Sequence, residues 1–462
     1  MKIRKVLAGL LAAVMVVPMA ACGPAKEEAG KVKITIGNWP ADTDPSGQER
    51  MAKLKDEFMA QNPDINIITD TTYYDTKNLN LKGSAKQLAT LYACPVTEVS
   101  TAYNAGYAKP ITKYMDKYGF TEAMNPEVLS VIKGGDGEIY AIPLSAYKQG
   151  FYINKKIFKE AGLVNEDGSI KYPKTWEEVA EYAKTVTEKT GKAGFAFPTI
   201  NNVGGWLLLN IARGYGADFV KQNNDGKYEA IFNTPEFVEA LKYVQDLKWK
   251  YDTLHSDTNM DQLGMYKYFA TDQAAMMIAT PPCNWLYSDY SMDFDNAYVV
   301  PMPAGPKGAY AQIGADINMI SSEATDEQVE ACFKWLMFMG NSPQLSDEQV
   351  EKIKSEYEQS VQKGNPILDR DEFPIFSKGD AFEIRKAARA DYVNVDMSNY
   401  EKYFDTGVDV TIFPEPPVCA QQMYAVLDGV IQELITNKDA DPAALAATAC
   451  EDFQVNHLDK LD

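Results

Sequence analysis

The chain predicts an α/β protein of two lobes, each discontinuous in sequence, joined by a hinge of several strands. Three observations carry this. Residues 32–68 run strand, helix, strand. Two later extended stretches are broken by proline, at Pro143 and at Pro301 and Pro303. At 462 residues the chain is about three times a ~150-residue domain. A chain that crosses out of one body at the first break and back at the second builds discontinuous lobes.

The elements follow in order. Val32, Ile34 and Ile36 alternate with Lys33, Thr35 and Gly37, the period of a strand. Residues 48–61 put Met51, Leu54 and Phe58 on one helical face, and Asn62-Pro63 ends it. Ile65, Ile67 and Ile68 form a second strand, so the unit implies parallel pairing. Residues 76–90 read as a helix with Leu81, Leu88 and Leu91 inward, and 96–101 as a short strand. Residues 101–118 and 125–133 read as helices separated at Gly119. A turn at 134–137 leads to a strand at 139–142, which Pro143 stops because it lacks a backbone donor. Residues 147–154 are extended again and 155–158 begin a helix.

Thr175 and Glu178 have capping-box spacing at the start of a helix running to Thr190, with Val179, Tyr182, Ala183 and Val186 buried. Residues 194–197 read as a strand, 205–212 as a helix and 223–226 as a hairpin turn. Thr234 caps 235–250, with Pro235 at the first helical position. The apolar run 274–279 predicts a central strand. Extended segments follow at 297–300 and 314–320, and a helix at 325–339. The remainder predicts helices at 347–362, 378–391, 417–436 and 442–455, with loops at 364–377 and 405–416. The N-terminal lobe is expected to hold 32–143 and 302–340, and the C-terminal lobe 144–301 and 341–462. Crossings are expected near 143–147, 299–303 and 340–343.

Lys2, Arg4 and Lys5, the apolar run 6–17 and Pro18-Met19-Ala20-Ala21 have the layout of a secretory signal at 1–21. Its apolar core is shorter than the ~20 residues of a membrane span. Cys22-Gly23 resembles the bacterial lipobox, with Met19 in place of the usual Leu. The resemblance implies lipid attachment at Cys22, a tether over 22–31 and a place on the extracytoplasmic face of the cell membrane. Two acyl chains suffice for stable anchoring, each buried CH₂ contributing ~0.8 kcal/mol. Losing 1–21 takes the formal charge from −20 to −23, since three basic residues and no acids go. That balance argues against a nucleic-acid partner, which needs a basic footprint. The other five cysteines, Cys94, Cys283, Cys332, Cys419 and Cys450, form no CxxC pair and read as buried small hydrophobes, with any pairing left open.

Several stretches occur together and in order: DGEIYAIPLSAYKQGFYINKKIFKEAGL, PKTWEEVAEYAKTVTEKTG, GGWLLLNIARGYGAD, NTPEFVEALKYVQDLKW, QAAMMIATPPCNW, VVPMPAGPKG and ITNKDADPAALAATACEDFQ. They resemble extracellular solute-binding protein family 1, the sugar receptors of ABC importers, to which maltose-binding protein belongs. The resemblance covers almost the whole mature chain. It implies a periplasmic-binding-protein-like fold of two lobes closing over a ligand in the cleft. It also implies a carbohydrate ligand of oligosaccharide size, delivery to membrane permease subunits, and no chemistry on the ligand. No cofactor or metal is expected, and the receptor is expected to be a monomer. Residues 365–415 are longer than in compact members, and Cys94-Pro95 and Cys283 depart from the common pattern.

Sugars present hydroxyl edges and flat C–H faces, so a sugar site wants aromatic platforms and fixed polar groups. Trp39, with Asp42 and Asp44, lies just past the carboxyl end of the first strand, where open α/β sheets bind ligands. Trp206 follows Gly204-Gly205, a pair that lets a ligand approach the backbone, and the resemblance implies sugar stacking there. Trp285, with Asn284, corresponds to a cleft loop in the family. Tyr147 and Gln149 lie just beyond Pro143; Tyr74 and Asp75 follow the second strand; Thr97 and Glu98 end the third. Asp316 and Asn318 are polar in an otherwise apolar strand. Trp176, Trp249 and Trp335 sit in amphipathic helices and read as core. Residues 165–168 resemble the start of a calcium loop but lack its distal ligands, and read as a turn.

Two other functions compete with a sugar receptor. The scaffold could hold a peptide or polyamine, which a carboxylate-rich cleft with few arginines would favour. A secreted glycoside hydrolase needs two carboxylates at a defined separation. The chain has two histidines and neither a G-x-S-x-G nor an H-E-x-x-H motif, which argues against an enzyme.

Overall fold

The computed structural model describes residues 30–74, 76–223 and 226–461. The expected signal segment, Cys22, nearly all of the 22–31 tether and Asp75 lie outside the described residues. The strands are β1 (Val32–Ile36), β2 (Ile65–Thr69), β3 (Leu91–Pro95), β4 (Ala141–Lys148), β5 (Gly150–Asn154) and β6 (Val220–Gln222). They continue as β7 (Tyr228–Ala230), β8 (Met276–Ala279), β9 (Ala297–Val300), β10 (Ala304–Gly305), β11 (Gly308–Ile320) and β12 (Val410–Pro414).

The first unit folds as its periodicity dictates. β1 and β2 pair in parallel from Val32 opposite Ile65 to Ile36 opposite Thr69, with helix Pro45–Gln61 between them. They belong to a seven-stranded sheet of order β10-β11-β3-β1-β2, with β4 and β12 also paired to β11. β11 is the spine of this sheet. Its first half pairs in parallel with β12, and its second half lies antiparallel to both β3 and β4.

Pro143 does not end a strand; it lies inside β4. β4 is an edge strand on β11, so the missing donor costs the ladder little. The register slips beside it: Asp316 faces Ser145 but Ile317 faces Pro143. Leu144 is therefore bulged out, and is 42% exposed. One residue, Gln149, separates β4 from β5, which is the middle strand of a second sheet of order β8-β5-β9. The run 274–279 was expected to be central, but β8 flanks β5, whose five residues are all buried. β8 is covered on its outer side by 193–196, where Ala196 N donates to Met276 O at 2.9 Å.

The fold buries two separate apolar clusters. One gathers β1–β4, the end of β11 and helix Asp326–Phe338, with Ile34, Phe58, Ile317 and Phe333 fully buried. The other gathers β5, β8, β9 and the helices around them, with Phe151, Trp176, Ile278 and Leu427 fully buried. The boundary cuts β11 between Ala311 and Ile313. Phe373 and Phe376, expected in the second lobe with 341–462, pack in the first cluster. Backbone bonds explain this: Asn125 N donates to Ile375 O at 2.8 Å and Ser377 N to Ala123 O at 3.1 Å.

Other differences have local causes. The expected 76–90 helix ends at Ser84, leaving Leu81 67% exposed, and Leu91 opens β3 instead. The expected 96–101 strand is a 3₁₀ turn, Val96–Glu98, running into helix Val99–Asn104. The 405–416 loop contains β12, whose β-forming run Val410–Phe413 finds an unpaired edge of β11. At the Thr175 cap, Thr175 Oγ1 accepts from Glu178 N, but Glu178 turns its carboxylate to Lys174 N rather than completing the box. The 165–168 segment is a turn in which Asp167 accepts from Ser169 N and Oγ. Trp176 and Trp335 are buried, and Trp249 Nε1 donates to Leu434 O at 2.7 Å. The five described cysteines are unpaired. No helix among the described residues is long and apolar enough to cross a membrane.

Candidate functional site

Where the two clusters meet, three segments converge. β4 carries Tyr147 one residue before its end, helix Val203–Tyr215 has Trp206 in its first turn, and β12 delivers Glu415 just past Pro414. The Tyr147 and Trp206 rings stand edge to face, with centroids 6.1 Å apart at 85°. Both donate to one oxygen of Glu415: Tyr147 Oη and Trp206 Nε1 each lie 3.3 Å from Oε1. Gly314 lies opposite Tyr147 on β11, and a Cβ there would sit 2.3 Å from the Tyr147 hydroxyl, so the ring needs a glycine beneath it.

The second oxygen, Glu415 Oε2, is buried with no hydrogen-bond partner among the described residues. The Tyr424 hydroxyl approaches the carboxylate without reaching hydrogen-bond geometry. Burial pushes the Glu415 carboxyl up to about 7, against the pull of Tyr424, Trp206 and Tyr147; the Asp316 charge adds to the rise.

Behind this group lies a layer of buried amides. Gln149 N donates to Gln312 O and Gln312 N to Asn210 Oδ1, both at 3.0 Å. Asn210 Nδ2 donates to Leu207 O and to Gln149 Oε1, and Gln312 Nε2 to the Tyr424 hydroxyl at 3.2 Å. Gln149, Asn210, Gln312 and Tyr424 are at most 1% exposed. Trp206 and Asn210 are one turn apart on the same helix face. A shift of that helix therefore moves the aromatic wall and the β4–β5 junction together.

The Gly204-Gly205 pair serves packing rather than ligand approach. A Cβ at Gly205 would meet Tyr424 O at 2.3 Å, and one at Gly204 would meet Pro198 O at 2.5 Å. The close approach lets Asp428 of helix Ala420–Thr436 cap the neighbouring helix, accepting from Asn202 N at 2.6 Å and Gly205 N at 2.7 Å.

From the opposite side, Thr97 and Glu98 come close to the loop that carries Glu415. Thr97 is 5% exposed and its hydroxyl has no hydrogen bond among the described residues. It lines a cavity of about 200 Å³ with Ser130, Lys133, Glu415 and Pro416. Glu98 is buried, and its charge raises the thiol pKa of both Cys94 and half-buried Cys419, after burial itself. Asp316 is exposed and accepts from Ser145 Oγ at 2.8 Å.

Residues 41–341 match the family model described as bacterial extracellular solute-binding protein. The chain belongs to that family. The solute-binding protein is 26% identical over 340 residues to a binding protein of Brucella abortus (strain 2308), covering 72% of this chain and 76% of the relative. It is 28% identical over 234 residues to the sn-glycerol-3-phosphate-binding periplasmic protein UgpB of Escherichia coli (strain K12), covering 47% and 50%. Among solved structures it resembles a Listeria monocytogenes ABC substrate-binding protein in complex with cycloalternan, with a TM-score of 0.65 at 18% identity over 92% of this chain and 99% of that one. It also resembles UgpB from Mycobacterium tuberculosis in complex with glycerophosphocholine, with a TM-score of 0.66 at 14% identity over 92% and 98%. These likenesses carry the fold: the two-lobed α/β architecture of periplasmic binding proteins.

Within the solute-binding protein, the predicted site residues divide into two groups. Tyr147, Trp206 and Asp316 gather around Glu415, Gln149 lies in the amide layer behind them, Thr97 lines a cavity with Glu415, and Glu98 acts on Cys419 farther along the same loop. Asn318, two residues along β11 from Asp316, is only 7% exposed. Others are engaged by the fold itself. Trp39 is 7% exposed in the first cluster. The Tyr74 hydroxyl accepts from Ala89 N and its ring lies 5.1 Å from Tyr92. Asp44 caps helix Pro45–Gln61 by accepting from Gly47 N and Ser46 Oγ, which hold its carboxyl below the usual range. Asp42 accepts from Gln48. Trp285 is 51% exposed, and Asn284 lines a separate cavity of about 310 Å³ with Tyr357, Arg370 and Arg389.

The sequence reading missed Glu415, Tyr424, Asn210, Gln312 and Asp428. A usable signal existed for one: Glu415 stands between Pro414 and Pro416-Pro417, a carboxylate whose neighbours lack backbone N–H donors to satisfy it.

Proposed function

We propose that this protein is the extracytoplasmic receptor of an ABC importer that captures a carbohydrate of oligosaccharide size between its lobes. The observation carrying this is the Tyr147–Trp206–Glu415 group at the junction of the two apolar clusters. A half-buried Trp and Tyr offer platforms for sugar C–H faces. The free oxygen of Glu415, the Thr97 hydroxyl and Asp316 offer acceptors and donors for hydroxyl edges. The lobes we propose are 32–143 with 302–340, and 144–301 with 341–462, except that the 371–377 stretch travels with the first. Hinge bending at β4–β5, at 299–303 and after Gly340 closes them over the ligand. The amide layer joins that motion to Trp206.

A phosphate ester such as the name of the Escherichia coli relative implies fits less well. Three carboxylates, Glu415, Asp316 and Glu98, lie in or beside the group and would repel it. The remaining elements of the reading are a monomer with no catalytic step, anchored through Cys22 and docking on the permease.

A thermal-shift panel of neutral di- to hexasaccharides, sn-glycerol-3-phosphate, glycerophosphocholine and short peptides tests this. A ligand at a hundredfold excess over Kd adds ~2.7 kcal/mol. Saturable stabilisation by an oligosaccharide supports the proposal; stabilisation by a phosphate ester or peptide alone, or turnover of a glycan, overturns it.

A further inference from the structure

We infer that the ligand presents a protonated amine to Glu415, with its apolar face on Trp206; on the carbohydrate reading above, on which this rests, that ligand is an amino sugar. The argument begins with what Glu415 lacks. Of its two oxygens, Oε1 takes both neighbouring donors and Oε2 has none among the described residues, although it is buried. The groups that act most on the carboxylate are Tyr424, Trp206, Tyr147 and Asp316, none of them a lysine or an arginine. Lys133 also lines the adjoining cavity but is not among the groups that act most on the carboxylate. A buried carboxylate without a cation is costly, and one partnered cation removes most of that cost.

The surroundings add to the same preference. Asp316 lies close enough to push Glu415 further up, an unfavourable charge–charge contact that a ligand cation would relieve. The flanking rings present faces and edges of Trp206 and Tyr147, and a cation over a Trp face is attracted by the ring quadrupole. A neutral hydroxyl donating to Oε2 would satisfy one hydrogen bond but leave the charge. An ammonium satisfies both. Thr97, nearly fully buried and without a hydrogen bond, supplies a hydroxyl on the facing wall for a neighbouring group of the same ligand.

The test measures Kd at neutral pH for four probes: glucosamine trisaccharide, its N-acetylated form, neutral maltotriose and spermidine. A charged hydrogen bond is worth ~1.5–3 kcal/mol, so the amino trisaccharide should bind the full-length protein about tenfold to a hundredfold tighter than its acetylated form. The preference should vanish in Glu415→Gln, with unfolding midpoints reported alongside. The wild-type preference stands as a test even if that variant fails to fold. Binding of spermidine without any saccharide supports the amine contact and overturns the carbohydrate reading. Equal or tighter binding of the neutral or acetylated sugar overturns the inference and leaves that reading standing. No binding by any probe overturns both.

Discussion

Alanine at Gly205 and at Gly429 should have opposite effects on stability, although both glycines lie in helices. In an open helix interior, Gly→Ala gains about 0.8–1 kcal/mol because the unfolded chain loses freedom it would otherwise regain. Gly429, inside Ala420–Thr436, has nothing within 4 Å of a built Cβ, so Gly429→Ala should deliver that gain. At Gly205 the new methyl would lie 2.3 Å from Tyr424 O, 2.7 Å from Tyr424 Cα and 2.9 Å from Leu427 Cβ. Two of those atoms are backbone and cannot rotate away, so the helices must separate. Overpacking costs about 1–3 kcal/mol, and straining the Asp428 bond to Gly205 N adds about 1. Less the propensity gain, Gly205→Ala should lose about 1–3 kcal/mol. Urea unfolding of the two variants beside the wild type measures both. If Gly205→Ala is as stable as Gly429→Ala, the close packing of these helices at Gly205 is refuted.

Glu415 and Glu372 are each held near 7 by burial, above the ordinary carboxylate range. Each binds its proton more tightly when folded, so the stability it contributes is whole below that range and is lost as pH climbs through about 7. The unliganded protein should therefore become easier to unfold between about pH 5 and 8, and the Glu415→Gln/Glu372→Gln variant should flatten that slope; a slope unchanged in the variant would contradict the burial of both groups. Trp285→Ala should leave the unliganded urea midpoint within about 0.5 kcal/mol of wild type, because that side chain is 51% exposed; a larger loss would place it in the core, and weakened ligand binding would place it at the cleft. Gly314→Ala should dislodge Tyr147, seen as lost ligand affinity with little loss of helix content by circular dichroism, and unaltered affinity would exclude Tyr147 from the site.

Local patterns were legible where one residue's neighbours in sequence decide its environment. The alternation in 32–36, the apolar faces of the helices and the capping residues all report local periodicity, and these elements stand where expected. What was hidden depends on partners far along the chain. Pro143 looked like a stop because sequence does not say that β4 is an edge. β12 looked like loop because its partner, β11, lies about a hundred residues earlier. Gly204-Gly205 looked like an opening for ligand until helix Ala420–Thr436 filled it. The proposed site followed the same rule. Aromatic residues at strand ends and helix starts led to Tyr147 and Trp206, but the carboxylate they share comes from residue 415, in a segment whose sequence carries no period. Trp39 and Tyr74 had the right chemistry beside the right strands, and the core took them instead.

The central claim is that ligand sits against Trp206, Tyr147 and Glu415. Calorimetric titration of the strongest ligand in the panel into wild type and Trp206→Ala tests it most directly. A central aromatic anchor contributes at least about 2 kcal/mol, so affinity should fall at least about thirtyfold while the variant still unfolds cooperatively. A folded Trp206→Ala protein that binds as tightly as wild type would contradict the account.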